Sequence, residues 1–299
     1  MRRGGFIRAV LAGGLLAFIG LVAWILLRPA PSEPVRADDG FDPGEFVKAR
    51  PRLDVPYVAT DNEVVEVMLG MAQVRPNEKV VDLGSGDGRI LIAAARSLGA
   101  RGLGVDIDPA RVREANANAR AAGVAHRVIF RREDLFETQI RDADVVTLYL
   151  LQEINIRLRP RLLTELRPGT RVVSHDFDMG DWPHDARRQV GSASVYLWIV
   201  PAPVSGRWTM TLDGRPAELE IDQRYQQFTG RLNVGGQPAR IEGGRINGPS
   251  LRFVARIGGG ARREFQGRLE GDALVGANWR ATRAPEPESD ADPAANRAR

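Results

Sequence analysis

The chain of 299 residues contains no cysteine. That absence excludes disulfides, thiolate metal centres and a cysteine nucleophile, while leaving the redox compartment open. Lysine is nearly missing as well: Lys48 and Lys79 are the only two, so the formal charge of +4 rests on arginine. Such a bias reflects codon usage as much as function. The arginines at 127, 131, 132, 157, 159, 161, 187 and 188 are scattered, a pattern expected of a solvated face, with an acidic partner or anionic lipid as the functional alternative. Neither nucleic acid nor a metal is an expected partner.

Long apolar runs are absent except at one place. Ala9 to Leu27 carries no charge, follows Arg2, Arg3 and Arg8, and as a helix is long enough to cross a hydrocarbon core of roughly 30 Å. The run exceeds the roughly 7–15 residues of a signal-peptide core, and no good cleavage site stands near Arg28-Pro29-Ala30, so an uncleaved transmembrane anchor is expected.

What is present begins with Val80-Val81-Asp82-Leu83-Gly84-Ser85-Gly86-Asp87-Gly88-Arg89. A β-branched run breaks into alternating glycines before a helical pattern, as in a strand, a nucleotide-binding turn and a helix. The third glycine comes one residue too early for the dinucleotide fingerprint. Asp82 would repel a pyrophosphate, yet it suits a cationic ligand such as S-adenosylmethionine. A second acid, Asp106, ends the run Gly102 to Val105 at the distance where such folds place a ribose-binding carboxylate. A third, in Glu133-Asp134-Leu135, follows the run Arg127 to Phe130. Taken singly, the glycines make a turn, Asp106 with Asp108 caps the helix near Pro109, and Asp134 is a loop residue. In this order, each after a strand-like run, they resemble the class I S-adenosylmethionine-dependent methyltransferases.

The resemblance covers roughly the middle half of the chain. It implies S-adenosylmethionine as cofactor, held by Asp82, Gly84, Ser85, Gly86 and Gly88, by Asp106 with Ile107, and by Asp134 with Leu135. The pattern itself supports a doubly wound Rossmann-like α/β sheet. Strands are expected at 79–83, 102–106, 127–131, 143–150 and 170–175, and helices from Thr60 or Asp61 to before Pro76 and near 88–98, 109–122 and 155–167. Arg187 to Val190 and Val195 to Val200 supply an antiparallel edge hairpin. From Gly206 to Arg283, period-two alternation with glycine turns predicts an all-β meander, closing as a small barrel or a sandwich. Its interior is expected to be packed rather than a ligand pocket. The expected layout is an anchor at 1–28, a proline-rich linker at 29–52, a methyltransferase domain at 53–203, a β domain at 205–283 and a disordered tail at 284–299.

In open α/β sheets ligands lie beyond the carboxyl ends of the strands, which puts Tyr149, Gln152, Glu153 and Asn155 toward the transferable methyl. Leu148-Tyr149-Leu150-Leu151-Gln152 lacks the Asn or Asp, prolines and aromatic of the DNA and protein-amide methyltransferases. The order Pro56-Tyr57-Val58, Asp82 to Arg89, Asp134-Leu135-Phe136, Thr147 to Leu151 and Arg171-Val172-Val173-Ser174 with Trp182 resembles a narrower group. These are the lysine methyltransferases of the ATP-synthase c subunit and the adenine nucleotide translocase, with their bacterial relatives. The chain departs from that group at Ala59 and Gln152, where proline is usual. The resemblance implies a protein lysine as acceptor, in a membrane protein.

A protonated lysine cannot attack, so Glu153, Tyr149 or the pair His175-Asp176 must accept or relay its proton. Tyr149 and Glu153 are the expected catalytic residues. A small-molecule N- or O-methyltransferase and a non-catalytic cofactor-binding or interaction protein are the competing readings. The side of the membrane stays open, because N-terminal arginines favour sending the domain outward whereas the cofactor is made in the cytoplasm.

Overall fold

Val80, Val81 and Leu83 are fully buried, as an apolar run interrupted only by Asp82 predicts for a central parallel strand covered on both faces. The structure, a computed structural model, describes residues 59–260 and 262–285. The expected anchor at 1–28, the linker at 29–52 and the tail beyond 285 lie outside the described residues; among the described residues no helix is long and apolar enough to cross a membrane.

Helix α1 (Asn62–Met71) leads into β1 (Lys79–Leu83), α2 (Arg89–Leu98), β2 (Arg101–Asp106), α3 (Pro109–Ala121), β3 (Val128–Arg132), β4 (Val145–Leu148), α4 (Gln152–Glu165) and β5 (Arg171–His175). The edge hairpin follows as β6 (Ala186–Val190) and β7 (Ala193–Ile199), giving the sheet order β3-β2-β1-β4-β5-β7-β6. Strands β1 to β5 are parallel and β7 pairs antiparallel with β5, so this is the doubly wound sheet with its antiparallel edge. Side chains alternate between two layers. Val80, Val145 and Val173 pack with α1, α2 and α3, while Val81, Leu83, Val146, Leu148 and Val172 pack with α4, Trp182 and Trp198.

Two boundaries differ from expectation. Strand β4 is confined to Val145–Leu148, because Tyr149 to Leu151 leave the sheet, and α4 begins at Gln152 rather than near 155. Of the scattered arginines, Arg131, Arg132, Arg157, Arg187 and Arg188 are exposed, as expected of a solvated face, whereas Arg127, Arg159 and Arg161 are half-buried. Arg127 donates to Gly99 O at 2.9 Å and Arg159 to Met179 O at 2.7 Å. Guanidinium groups can satisfy carbonyls far away in sequence, which composition does not reveal.

From Gly206 the chain forms β8 (Gly206–Leu212), β9 (Arg215–Arg224), β10 (Gln227–Val234), β11 (Gln237–Asn247), β12 (Ser250–Arg256), β13 (Arg262–Glu270), β14 (Ala273–Gly276) and β15 (Arg280–Arg283). Pairing of β15 with β8 closes these eight strands into a barrel. Its interior is filled by Trp208, Leu219, Phe228, Leu232, Leu274 and their neighbours, with Phe253 stacked on Phe265 at 4.7 Å. Trp279 lies against the cross-strand pair Gly267 and Gly276, where a Cβ would come within 2.7 Å and 2.1 Å of the indole, so only glycine leaves room for the ring.

Candidate active site

The glycine turn sits where β1 ends. The amides of Gly84 and Ser85 both donate to Val105 O at 2.9 Å, which binds the turn to the end of β2. Gly84, Gly86 and Gly88 have φ of 82°, 52° and 83°, left-handed values that glycine adopts without penalty. A Cβ on Gly88 would lie 2.6 Å from Phe130 Cζ. Gly88 also caps α2 without a side-chain partner, leaving a helix N-terminus of positive character beside the turn.

Asp82 and Thr147 face each other in the β1–β4 register, and Thr147 Oγ1 donates to Asp82 Oδ1 at 2.6 Å. Asp82 Oδ2 is buried with no partner, as is Ser85 Oγ. Burial pushes the Asp82 carboxyl up to about 7; the Thr147 hydrogen bond opposes this, and the charges of Asp106 and Asp87 add to it. A buried carboxylate oxygen without a donor is costly, and an incoming cation would satisfy it.

The acids at the end of β2 divide their work. Asp108 caps α3 by accepting from Ala110 N at 2.7 Å, whereas Asp106 accepts from Gly86 N at 3.0 Å and Asp108 N at 2.9 Å. Each Asp106 oxygen thus keeps a further acceptor direction. Burial raises the carboxyl of Asp106 above its usual range, against those two hydrogen bonds. Ile107 beside it is 40% exposed, unusual for so large an apolar side chain and suited to a flat ring. Asp134 is exposed just past β3, and its Oδ1 accepts from Phe136 N at 2.8 Å to form a turn that also presents Leu135.

That turn is held by a residue whose role the sequence did not disclose. Arg161, on α4, donates to Leu135 O at 3.1 Å, to Phe136 O and to Thr138 O at 2.8 Å, and pairs with Glu165 at 2.7 Å. Arg161→Met should free the turn and weaken binding of S-adenosylmethionine, the ligand that the resemblance implies, about tenfold, the equivalent of roughly 1.4 kcal/mol out of several charge-assisted bonds. Isothermal titration of the variant checks this, and affinity within twofold of wild type would count against it.

On the acceptor side, Tyr149 leaves the end of β4 and stacks on His175 at the end of β5, with ring centroids 3.8 Å apart and planes at 29°. His175 is held at both ring nitrogens: Nδ1 lies 3.2 Å from Thr60 Oγ1 and Nε2 lies 3.3 Å from Asp176 Oδ2. Burial lowers its pKa, with Asp176 opposing, while burial and the charges of Asp176 and Asp61 raise that of Tyr149. Both rings are therefore neutral near pH 7, and both nitrogens of His175 are occupied. Asn155 is fully buried, donating to Ser174 Oγ at 3.2 Å and Phe177 O at 3.0 Å, with its Oδ1 unpartnered. Glu153 is exposed in the first turn of α4, and no hydrogen bond joins it to Tyr149 among the described residues.

The profile of the ANTKMT methyltransferase domain matches residues 82–186. A protein-lysine N-methyltransferase of Saccharolobus islandicus is 46% identical over 151 residues, which are 49% of this chain and 94% of that protein. The chain belongs to the protein-lysine N-methyltransferase family. The adenine nucleotide translocase lysine N-methyltransferase of Mus musculus is 36% identical over 52% of this chain and 66% of that protein. A solved RNA methyltransferase from Salinibacter ruber, in complex with S-adenosyl-L-homocysteine, is 52% identical over 49% of this chain and 96% of that one, with a TM-score of 0.49.

This family member is a methyltransferase that uses S-adenosylmethionine. The residues present fit that donor. The unpartnered oxygen of Asp82 suits its ammonium, the spare acceptor directions of Asp106 suit vicinal hydroxyls, and exposed Ile107 beside the Asp134–Leu135 turn suits an adenine.

Proposed function

We propose that the chain methylates the ε-amino group of a lysine in a membrane protein, and that Ala9 to Leu27 anchors it beside that acceptor. The observation that carries the acceptor class is the neutral aromatic wall of Tyr149 on His175 at the carboxyl ends of β4 and β5. An amine nucleophile needs no planar amide clamp there, only alignment, desolvation and loss of its proton. S-adenosylmethionine, when bound, supplies an electrophilic methyl on a sulfonium. Asp82, the glycine turn at Gly84, Ser85, Gly86 and Gly88, Asp106 with Ile107, and Asp134 with Leu135 hold and orient it. Tyr149 lines the path of the lysine side chain, and its hydroxyl accepts a hydrogen bond from the amine. Glu153, exposed in the first turn of α4, takes the ammonium proton before attack and passes it to solvent. His175, occupied by Thr60 and Asp176, keeps the Tyr149 ring in place.

The names of the archaeal and mouse relatives support the lysine reading, and the apolar N-terminal run supports membrane attachment. The test incubates the full chain in detergent with methyl-labelled S-adenosylmethionine and a membrane fraction from its source. Label recovered as methyl-lysine after protein digestion is expected. Label in RNA or in small molecules, with none in protein, contradicts the proposal. Deleting residues 1–28 should abolish sedimentation with membranes; unchanged sedimentation contradicts the anchor.

A further inference from the structure

The barrel lies beyond the residues that the family profile matches, yet one of its hairpins reaches back to the acceptor side. At the turn between β9 and β10, Gln226 is 5% exposed. Its Oε1 accepts from Trp182 Nε1 at 3.0 Å, and its Nε2 donates to Pro183 O at 2.7 Å and Asp185 Oδ2 at 3.1 Å. Tyr225 stacks on Trp182 at 6.1 Å, and Arg224 pairs with Asp181 at 3.1 Å. Tyr225 has φ of 55°, a strained value for an aromatic residue that persists only where the surroundings impose it.

All these partners belong to the loop after β5. From its other side, one face of α4 grips the same loop at helical spacing: Gln152 donates to Asp178, Asn155 to Phe177 O and Arg159 to Met179 O. The loop begins just after His175, on which Tyr149 stacks. A connection without regular structure next to a site is ordinarily mobile, but here the two flanking elements fix its backbone.

We propose that the β9–β10 turn is a specificity element of the transferase. Gln226, with Tyr225 and Arg224, holds loop 177–185 against the acceptor side, so the barrel sets how well the acceptor is taken while leaving the S-adenosylmethionine site unaltered. These are positioning residues, and the proposal rests on the reading that the acceptor enters beside Tyr149 and His175. It assigns the barrel a task in the family member's own reaction, although its interior is filled.

The test compares the full-length wild type with Gln226→Met, which keeps length and removes all three hydrogen bonds, and with Arg224→Ala. The Arg224 side chain is 78% exposed, so its truncation does not threaten folding. Hydrogen exchange, calorimetry with S-adenosylmethionine, and steady-state methylation of poly-L-lysine are measured on each. In Gln226→Met, amides of 179–185 should exchange about tenfold faster or more while the amides of Gly84 to Gly88 keep their rates. Donor affinity should stay within about twofold and acceptor KM should rise about fivefold with kcat little changed, with smaller shifts of the same sign in Arg224→Ala. Unchanged loop exchange overturns the proposal, and so does a loss of donor affinity matching the loss of acceptor use, which would mean general destabilisation. If the wild type leaves poly-L-lysine unmethylated, the lysine reading is contradicted, and exchange with donor affinity still decides the positioning role.

Discussion

Asp106→Ala is expected to raise the dissociation constant for S-adenosylmethionine roughly 10- to 100-fold, since hydrogen bonds to a charged group are worth about 1.5–3 kcal/mol. The carboxylate has two tasks. It accepts from Gly86 N and Asp108 N, which fixes the glycine turn relative to the start of α3, and in the proposed function its remaining lone pairs take the ribose hydroxyls. Alanine removes both, so the turn loosens while the ligand loses its anchor. Calorimetric titration of the folded variant checks this, and affinity within twofold of wild type would refute the assignment.

Asp82→Asn should have effects of opposite sign on stability and on binding. Burial pushes the native carboxyl from the usual 3.8 up to about 7, so between those pH values the folded chain binds more protons than the unfolded one. Stability from this group is therefore fully present below about pH 4 and is lost as pH rises through about 7. The ceiling is about 4 kcal/mol at 1.36 kcal/mol per pH unit. Asparagine retains an acceptor for Thr147 without the buried charge, so the ligand-free variant should be the more stable protein at pH 8. It should also bind the donor roughly 10- to 100-fold more weakly, because no carboxylate meets the ammonium. Wild-type affinity should fall as pH drops below about 7, and the variant should lack that component. Denaturant unfolding at pH 5 and 8, with titrations at both, tests the pair of expectations. A variant that binds as tightly as wild type would show that Asp82 does not face the cation.

The glycine turn and the acids at the strand ends were legible because their signals are local. Asp82 lies near the end of β1, Asp106 ends β2 and Asp134 comes two residues after β3, so each marks a strand's carboxyl end, and the glycines need their left-handed angles whatever surrounds them. Thr147 was readable in principle, as one hydroxyl in an apolar strand opposite Asp82. What escaped depends on distant partners. Arg161 gains its meaning from carbonyls in the turn after β3, and Gln226 from Trp182 across the domain boundary. The early start of α4 was hidden by polar Gln152 and Glu153, which carry no apolar periodicity. Barrel or sandwich could not be decided from alternation alone, because closure rests on the pairing of Ala281 with Met210.

The measurement that most directly tests the central claim is a calorimetric titration of the full chain in detergent with S-adenosylmethionine, S-adenosylhomocysteine and NAD, each repeated on Asp106→Ala. Micromolar binding of the two adenosyl ligands, weakened roughly 10- to 100-fold in the variant, and none of NAD are expected. A folded wild-type chain that binds neither adenosyl ligand, or that prefers NAD, would contradict that claim.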